Sequence, residues 1–185
     1  MNRIELMSPA GSFESLQAAI QGGANSIYFG VEQLNMRARS GNNFTVEDLK
    51  EIHKRCSAKK IKTYLTLNTI LYDYDISLMK KIVESAKKNH IDAIIACDQA
   101  VLMYAKKAGI PVHISTQANV SNLESVMFYS EYADTVVLAR ELSLLQVAEI
   151  AKQIKRKKIT GPSGELIKIE VFGHGALCMA VSGKC

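Results

Sequence analysis

Short apolar segments alternate with amphipathic stretches along almost the whole chain. The apolar segments have the length and residue types of β-strands. Several are apolar without interruption, as expected for strands that are covered on both faces of a sheet. The seven predicted strands span residues 4–7, 26–29, 62–67, 93–96, 112–114, 135–138 and 166–172.

The stretches between these strands predict helices, because apolar residues recur there at spacings of three and four. Leu16, Ala19 and Ile20 form one such face, and Leu49, Ile52 and Cys56 form part of another. Side chains that can cap a helix N-terminus mark the starts of the helices. The predicted caps are Ser12, Thr45 with Asp48, Asp75, Ser121 with Glu124, and Ser143 with Gln146.

Strands that alternate with helices predict a parallel sheet with helical crossovers. Seven such steps favour an α/β fold of the (β/α)8 TIM-barrel-like type, incomplete in this chain because the last strand and helix are missing. An open doubly wound sheet is the alternative. We therefore expect residues 1–185 to form a single barrel domain, truncated at its C-terminus, that self-associates through open strand edges.

Composition and charge narrow the class of protein only slightly. The net charge of +5 is compatible with an RNA-facing surface, although many ordinary enzymes are equally basic. The N-terminus has no apolar signal core, and no apolar run reaches the length that spans a membrane. These features predict a cytoplasmic protein whose four cysteines are reduced, and therefore buried, metal-binding or catalytic rather than paired.

Polar side chains follow nearly every predicted strand at its carboxyl end, where barrel enzymes hold their functional groups. Strand ends and helix caps favour Ser, Asn and Asp in any case, which accounts for some of these residues without a functional role. Gln117, Arg140 and His174 are explained less well in that way. The rim residues are Ser8, Asn68, Asp98, Gln117, Asn119, Arg140, Glu141, His174 and Cys178.

The arginines permit two interpretations each. Arg140 and Glu141 either form an ion pair that holds the rim, or Arg140 binds a substrate carboxylate or phosphate through its planar guanidinium. Arg37 and Arg39 lie in a long loop after the second strand, where they are either solvated or bind anionic substrate groups.

Two of the four cysteines have unusual positions. Cys178 and Cys185 follow glycine-containing breaks near the end of the chain and lie seven positions apart. Such thiols suit an iron–sulfur cluster, which needs four ligands, or zinc with His174 as a third ligand. A cysteine beside a histidine can also act as a nucleophile. Cys56 and Cys97 are interpreted as buried residues of the core.

Five segments together resemble peptidase family U32, the collagenase-like peptidases, over the whole chain. They are Glu5-Leu6-Met7-Ser8-Pro9-Ala10-Gly11, residues 23–30, Ser115-Thr116-Gln117-Ala118-Asn119, residues 137–143, and His174-Gly175-Ala176-Leu177-Cys178 with Ser182-Gly183-Lys184-Cys185. The form of the last segment is closer to the RNA-hydroxylating branch of the family than to the ubiquinone branch.

This resemblance implies two different activities. Some members of the family are described as collagenases. Others take part in oxygen-independent or prephenate-dependent hydroxylation of transfer RNA, ribosomal RNA or ubiquinone, with a 4Fe-4S cluster held by four cysteines. By resemblance, Cys178 and Cys185 correspond to the first two of those cysteines, and the other two would lie beyond Cys185.

Three functions are consistent with these features. The first is hydroxylation of tRNA or rRNA with an iron–sulfur cluster, and with prephenate as the co-substrate. The catalytic residues would then be His174, Arg140, Gln117 and Asn119. The residues that bind substrate would be Arg37, Arg39, Asn68 and Glu141. The second is metal-dependent or cysteine-dependent proteolysis of a protein or peptide substrate, with zinc as the metal. The third is a non-catalytic subunit or binding module. We expect this chain alone to be inactive.

Overall fold

The computed structural model describes residues 4–36, 43–175 and 179–184 of the chain. In these ranges, seven β-strands alternate with six α-helices. The elements are β1 (Met7–Pro9), α1 (Phe13–Gln21), β2 (Ser26–Phe29), α2 (Leu49–Ser57), β3 (Lys62–Leu67), α3 (Ile76–Lys88), β4 (Ala93–Ala96), α4 (Gln99–Ala108), β5 (Val112–Ile114), α5 (Leu123–Tyr129), β6 (Thr135–Val137), α6 (Leu144–Lys157) and β7 (Lys168–Glu170). Short 3₁₀ turns at Asp73–Asp75 and Thr116–Ala118 follow β3 and β5.

Backbone contacts divide the chain into two compact units, residues 1–110 and residues 111–185. In the first unit, β1 to β4 lie side by side in chain order and pair in parallel, with Tyr28 opposite Tyr64 and Tyr64 opposite Ala93. In the second unit, β5 to β7 also lie in chain order and in parallel. Parallel neighbours joined by helices are the predicted βα arrangement.

The core of the first unit explains why its strands lack a polar face. Leu65 and Leu67 of β3 are buried, and α2 packs against this strand. The alternate residues of β3 point to the other face of the sheet. There Tyr64, Ala93 and Ile95 form a second cluster, so a nearly continuous apolar run is required.

Several predicted helix starts are confirmed by hydrogen bonds. Ser12 caps α1 in a capping box with Ser15, and Ser143 caps α6 in a capping box with Gln146. Asp98, one of the residues that follow a predicted strand, also caps a helix: it accepts from the backbone N–H of Ala100 at the start of α4. Each of these side chains supplies an acceptor for an N–H group that has no partner inside the helix.

Three predicted helix starts were wrong in detail. Thr45 and Asp48 form the reciprocal hydrogen bonds of a capping box, but α2 begins only after Asp48. Asn122, not Ser121, caps α5, because its side chain reaches the N–H three residues ahead. Asp75 precedes α3 but makes no capping bond to it, because its carboxylate accepts from the N–H of Tyr72 instead.

The outermost strands are shorter than predicted or displaced. β1 begins at Met7 rather than residue 4, so Ser8 lies inside the strand and not at its end. β7 covers Lys168–Glu170 instead of 166–172. Apolar residues at the predicted ends, including Ile4, Val171 and Phe172, are exposed and lie outside the strands. Their apolar character was therefore not a sign of strand pairing. No helix in the part of the chain that the structure describes is both long enough and apolar enough to cross a membrane.

A small polar cluster lies at the amino-terminal end of the sheet in the first unit. The carboxylate of Glu5 accepts hydrogen bonds from the Lys62 ammonium at 2.8 Å and the Tyr64 hydroxyl at 2.5 Å. Partial burial raises the pKa of Glu5, but the hydrogen bonds from Lys62 and Tyr64 outweigh it, and the net pKa is lower than usual. Glu5 is therefore held as a carboxylate.

Replacing Glu5 with Gln is expected to lower the free energy of unfolding near pH 7, because the amide cannot carry the charge that Lys62 neutralises. Folding lowers the pKa of Glu5, so its contribution is present above the pKa of the unfolded chain and is lost as pH falls through the folded pKa. Because both side chains are partly exposed, the loss should be below about 1 kcal/mol. Urea denaturation of both chains at a series of pH values measures it.

Glu47→Gln is the matched control, because Glu47 is exposed and forms no ion pair with another described residue. Equal losses from the two variants would contradict the role given to Glu5. So would a Glu5→Gln effect that grows on acidification.

Candidate functional site

The carboxyl ends of β5 and β6 form one continuous edge in the second unit. The 3₁₀ turn Thr116–Ala118 follows β5, and Ala139 donates its N–H to the carbonyl of Val120 at 2.9 Å. The side chain of Ser115, which is buried, accepts from the N–H of Gln117. The two loops that carry Gln117, Asn119, Arg140 and Glu141 are therefore joined at this edge.

A rim clamp, which we define as Arg140, Glu141 and Ser182, attaches residues 179–184 to this edge. The backbone N–H of Arg140 and its Nε both donate to Ser182 Oγ, at 3.3 and 3.4 Å, and its Nη2 donates to the carbonyl of Ala180 at 3.1 Å. In return, the N–H of Ser182 donates to Glu141 Oε1 at 2.8 Å. Ser182 is only 1% exposed, whereas Arg140 and Glu141 lie at the surface, so the clamp joins two exposed side chains to a buried one.

The backbone around Gly183 completes the attachment. Lys184 donates its N–H to the carbonyl of Val181 at 2.9 Å, and Gly183 has a φ of +78°, as in a type II turn. A Cβ atom on Gly183 would lie 2.9 Å from the carbonyl oxygen of Gln117. Glycine is therefore required at this position both by its backbone conformation and by its close contact with the loop after β5.

The charge state of Glu141 follows from the clamp. The hydrogen bond from the Ser182 backbone N–H lowers the pKa of this carboxyl, and its own backbone N–H and the nearby Arg140 act in the same direction. Glu141 is therefore an ionised acceptor, which makes the bond to Ser182 a charge-assisted one. Two residues that were predicted to contact substrate thus also hold a segment of the chain.

The first unit holds its own rim loop in a similar way. The buried side chain of Asn35 donates to the carbonyls of Val31 and Gln33, and the Asn68 side chain accepts from the N–H of Met36 at 3.2 Å. A Cβ atom on Gly30 would meet the Asn35 side chain at 2.6 Å, so this glycine makes room for it. Asn68 thus positions the loop that leads to the two arginines.

Burial disfavours the thiolate form of both cysteines of the first unit. Burial raises the pKa of the Cys56 thiol to about 11, with a smaller contribution from Asp92. Burial likewise raises the pKa of Cys97 to about 11, with a smaller contribution from Asp98, and its thiol lies 3.3 Å from the carbonyl oxygen of Asn68. Both thiols are protonated at neutral pH, and the thiolate is the reactive and metal-binding form.

The predicted site residues therefore fall into three groups. Gln117, Asn119, Arg140 and Glu141 lie on the two joined loops of the second unit, and Asn68 lies on the rim of the first. His174 is exposed after β7 and forms no hydrogen bond with another described residue. Arg37, Arg39, Cys178 and Cys185 lie outside the described residues. Among the described residues, no group of three or more His, Cys, Asp or Glu side chains could hold a metal ion.

Two residues that shape the site were missed by the sequence interpretation. Ser182 was quoted as part of a motif but was given no role, and Asn35 was not considered. A single polar residue directly after an apolar one, such as Leu34 or Val181, gives little signal by itself. Only the glycines beside them, Gly183 and Gly30, indicated that the backbone there makes close contacts.

The family model of peptidase family U32 matches residues 11–185. A collagenase of Porphyromonas gingivalis is 57% identical over 185 residues, which cover all of this chain and 45% of that protein. The tRNA hydroxylation protein P of Helicobacter pylori is 36% identical, with 100% and 42% coverage, and that of Escherichia coli is 32% identical, with 100% and 39% coverage. The chain thus spans less than half of the length of these relatives.

Solved structures confirm the fold class. The U32 peptidase Mk0906 superimposes with a TM-score of 0.67 at 13% identity, covering 81% of this chain and 65% of that one. The α subunit of tryptophan synthase from Legionella pneumophila superimposes with a TM-score of 0.57 at 17% identity, covering 94% and 74%. At such identities the likeness shows the fold alone, which is TIM-barrel-like.

Replacing Glu141 with Ala is expected to speed amide hydrogen exchange at Ser182 severalfold, because it removes the acceptor of that N–H. Glu141→Gln should retain part of the protection, because the amide oxygen still accepts. Exchange of a peptide that contains residues 179–184, followed by mass spectrometry, measures this.

Glu149→Ala on α6 is the control for a lost carboxylate on the same unit, and it should leave the exchange at Ser182 unchanged. Unchanged protection in Glu141→Ala would show that the clamp does not hold the segment in solution.

Iodoacetamide is expected to alkylate Cys56 and Cys97 very slowly at pH 7, because a pKa of about 11 leaves a thiolate fraction on the order of one in ten thousand. Their rates should keep rising with pH beyond the range in which an ordinary thiol has titrated. Site-resolved mass spectrometry across a pH series measures both rates, with the urea-unfolded chain as control. Equal rates in the folded and unfolded chains at pH 7 would contradict the burial described here.

Proposed function

Because this chain belongs to peptidase family U32, we propose that its protein hydroxylates a base of transfer or ribosomal RNA in the cytoplasm, with an iron–sulfur cluster that Cys178 and Cys185 help to hold. The rim clamp is the observation that carries the proposal. It attaches residues 179–184, which lie between the two cysteines, to the carboxyl ends of β5 and β6. In (β/α) barrels this is the end at which substrates bind.

The donor chemistry of the chain fits such a group. Thiolates are the usual ligands of iron–sulfur clusters, and two of them form half of a 4Fe-4S set. Cys56 and Cys97 do not fit the remaining half, because Cys56 is fully buried on α2 and the Cys97 thiol lies against the carbonyl oxygen of Asn68. We therefore propose that the other two ligands come from outside these 185 residues. When bound, a cluster of this kind supplies one-electron redox chemistry.

The polar residues of the rim would have separate roles in this reaction. The amides of Gln117 and Asn119 would hydrogen-bond the edge of the target base, and the exposed imidazole of His174 would move a proton. Arg37 and Arg39 would bind phosphates, which a planar guanidinium does well. Asn68, Arg140 and Glu141 would position the loops, and prephenate would be the hydroxylation co-substrate.

The names of several relatives support an RNA substrate. The relatives called tRNA hydroxylation protein P match nearly the whole chain at 30 to 36% identity. The net charge of +5 is compatible with a polyanionic substrate. Because the chain covers less than half of these proteins, their activity is carried over to it only as a proposal.

A collagenase-like peptidase is the second candidate, and the relative named collagenase, at 57% identity, favours it. Such an enzyme would need a nucleophile or a bound metal, and zinc held by His174, Cys178 and Cys185 would supply one. Its cysteine ligands, like those of the proposed cluster, lie outside the described residues. Several relatives that match nearly the whole chain are named tRNA hydroxylation proteins, and among the relatives compared they outnumber those named collagenase. Hydroxylation therefore remains our first proposal.

The test compares RNA from cells that carry the intact gene, a deletion, or a Cys178→Ser allele, with Cys56→Ser as the control for a lost thiol. We expect one hydroxylated nucleoside to disappear in the deletion and in Cys178→Ser, and to persist in Cys56→Ser. Digestion of tRNA and rRNA to nucleosides followed by mass spectrometry measures this.

An assay of gelatin cleavage separates the second candidate from the first. It uses the full-length gene product, purified under anaerobic conditions. An RNA nucleoside profile that is identical in all strains, together with gelatin cleavage that Cys178→Ser abolishes, would overturn hydroxylation in favour of proteolysis.

A further inference from the structure

Two tyrosines after β3 are unusually exposed for aromatic residues. Tyr72 is 62% and Tyr74 is 78% exposed, and Ile70 beside them is 75% exposed. The two rings are stacked, with centroids 5.6 Å apart and planes inclined by only 11°. We call this pair the tyrosine platform. A contiguous exposed apolar patch on a folded chain usually marks a site of interaction.

The backbone beneath the platform is held in place by carboxylates. Tyr72 donates its N–H to Asp75 Oδ2 at 3.0 Å, and Asp75 donates its N–H to the Tyr72 carbonyl at 2.8 Å. Leu71 donates its N–H to Asp98 Oδ2 at 3.1 Å. These bonds fix the 3₁₀ turn Asp73–Asp75, so a ligand of the platform meets rings that are already positioned.

The platform lies at the functional end of the first unit. Only four residues separate Tyr72 from the end of β3 at Leu67, and Asn68 between them holds the loop that leads to the two arginines. The carboxyl ends of the strands are where a (β/α) fold binds its substrates. Exposed aromatic rings at this end are therefore more than the scattered apolar residues that any surface carries.

We propose that the tyrosine platform is a subsite on which an unpaired base of the RNA substrate stacks. The proposal rests on the function proposed above. Single-stranded nucleotides stack their bases on Tyr and Phe rings regardless of sequence, because every base has a π face. The two tyrosine rings already stack on each other with centroids 5.6 Å apart, so a base stacks on an outer ring face and not between them.

The ring geometry and the charges favour a base over a proline-rich or collagen-like peptide. Polyproline segments dock into grooves between aromatic side chains, and two rings that already stack leave no such groove. The carboxylates of Asp75 and Asp98 accept backbone hydrogen bonds beneath the rings, and Asp73 adds a third negative charge nearby. Phosphates would be repelled here, so contact through the base face is the favourable mode.

The experiment measures binding of a tRNA transcript and of a short oligouridylate to the purified chain. The chain contains no tryptophan, so quenching of tyrosine fluorescence by a stacked base is directly observable. Tyr72→Ala and Tyr74→Ala are expected to weaken binding by about fivefold or more, as loss of one stacked base does. The slope of affinity against salt should not change, because no phosphate contact is lost.

Three controls make the result specific. Tyr72→Phe and Tyr74→Phe keep the ring and should bind within about twofold of wild type, given that stacking needs only the π face. Phe128→Ala removes another exposed aromatic side chain, on α5 of the second unit, and should leave binding unchanged. Circular dichroism of each variant confirms that the fold is retained, as expected for exposed side chains.

RNA binding that is unaltered in both alanine variants would overturn the proposal. So would binding of a Gly-Pro-Pro repeat peptide that depends on the two tyrosines. A failure of the proposed function is distinguishable: if the nucleoside profile of a deletion strain is unchanged while oligouridylate binding still depends on the tyrosines, hydroxylation fails and the stacking subsite stands. If the hydroxylated nucleoside is lost on deletion but both alanine variants bind RNA normally, the subsite fails and hydroxylation stands.

Discussion

The backbone of a rim loop must find hydrogen-bond partners once it leaves the ladder of a parallel sheet. A buried N–H or carbonyl without a partner costs about as much free energy as a lost hydrogen bond, so loops that lie against the core need side chains to satisfy them. In the second unit this need is met by Arg140 and Glu141, which bond Ser182 and Ala180. In the first unit it is met by Asn35 and Asn68. The candidate ligands Cys178 and Cys185 and the arginines Arg37 and Arg39 are next in sequence, or close to it, to the segments that these bonds hold.

This requirement changes how polar residues at strand ends are interpreted. Arg140, Glu141 and Asn68 have the chemistry of substrate-binding residues, and position alone does not distinguish binding from anchoring. The hydrogen bonds give each of them an anchoring role. Gln117 and Asn119 are more available, since the contact of their loop with Gly183 is made largely by backbone atoms and a Cβ atom. Gln117 and Asn119 thus lie on loops whose neighbouring residues make the anchoring hydrogen bonds.

The environment of each cysteine decides what it can do. Cys56 is fully buried on the inner face of α2, and Cys97 is half-buried directly after β4, so desolvation disfavours both thiolates. The positions of the two cysteines in the sequence indicated that both are buried, but not how strongly burial disfavours their thiolates.

The sequence by itself was sufficient for the local features of this protein. Short apolar runs located seven strands, the first only approximately, and period-3.6 patterns located the helices between them. Short polar side chains located the caps at Ser12 and Ser143, because these signals are carried by residues within one turn or one strand. Strand ends such as β1 and β7, and the choice of Asn122 over Ser121, were decided by pairing and burial instead. The rim clamp joins residues 42 positions apart, and Asn68 bonds a loop 32 positions away. Only the tertiary structure brings such partners together, because hydrogen bonding depends on distance and direction in space and leaves no periodic trace along the chain.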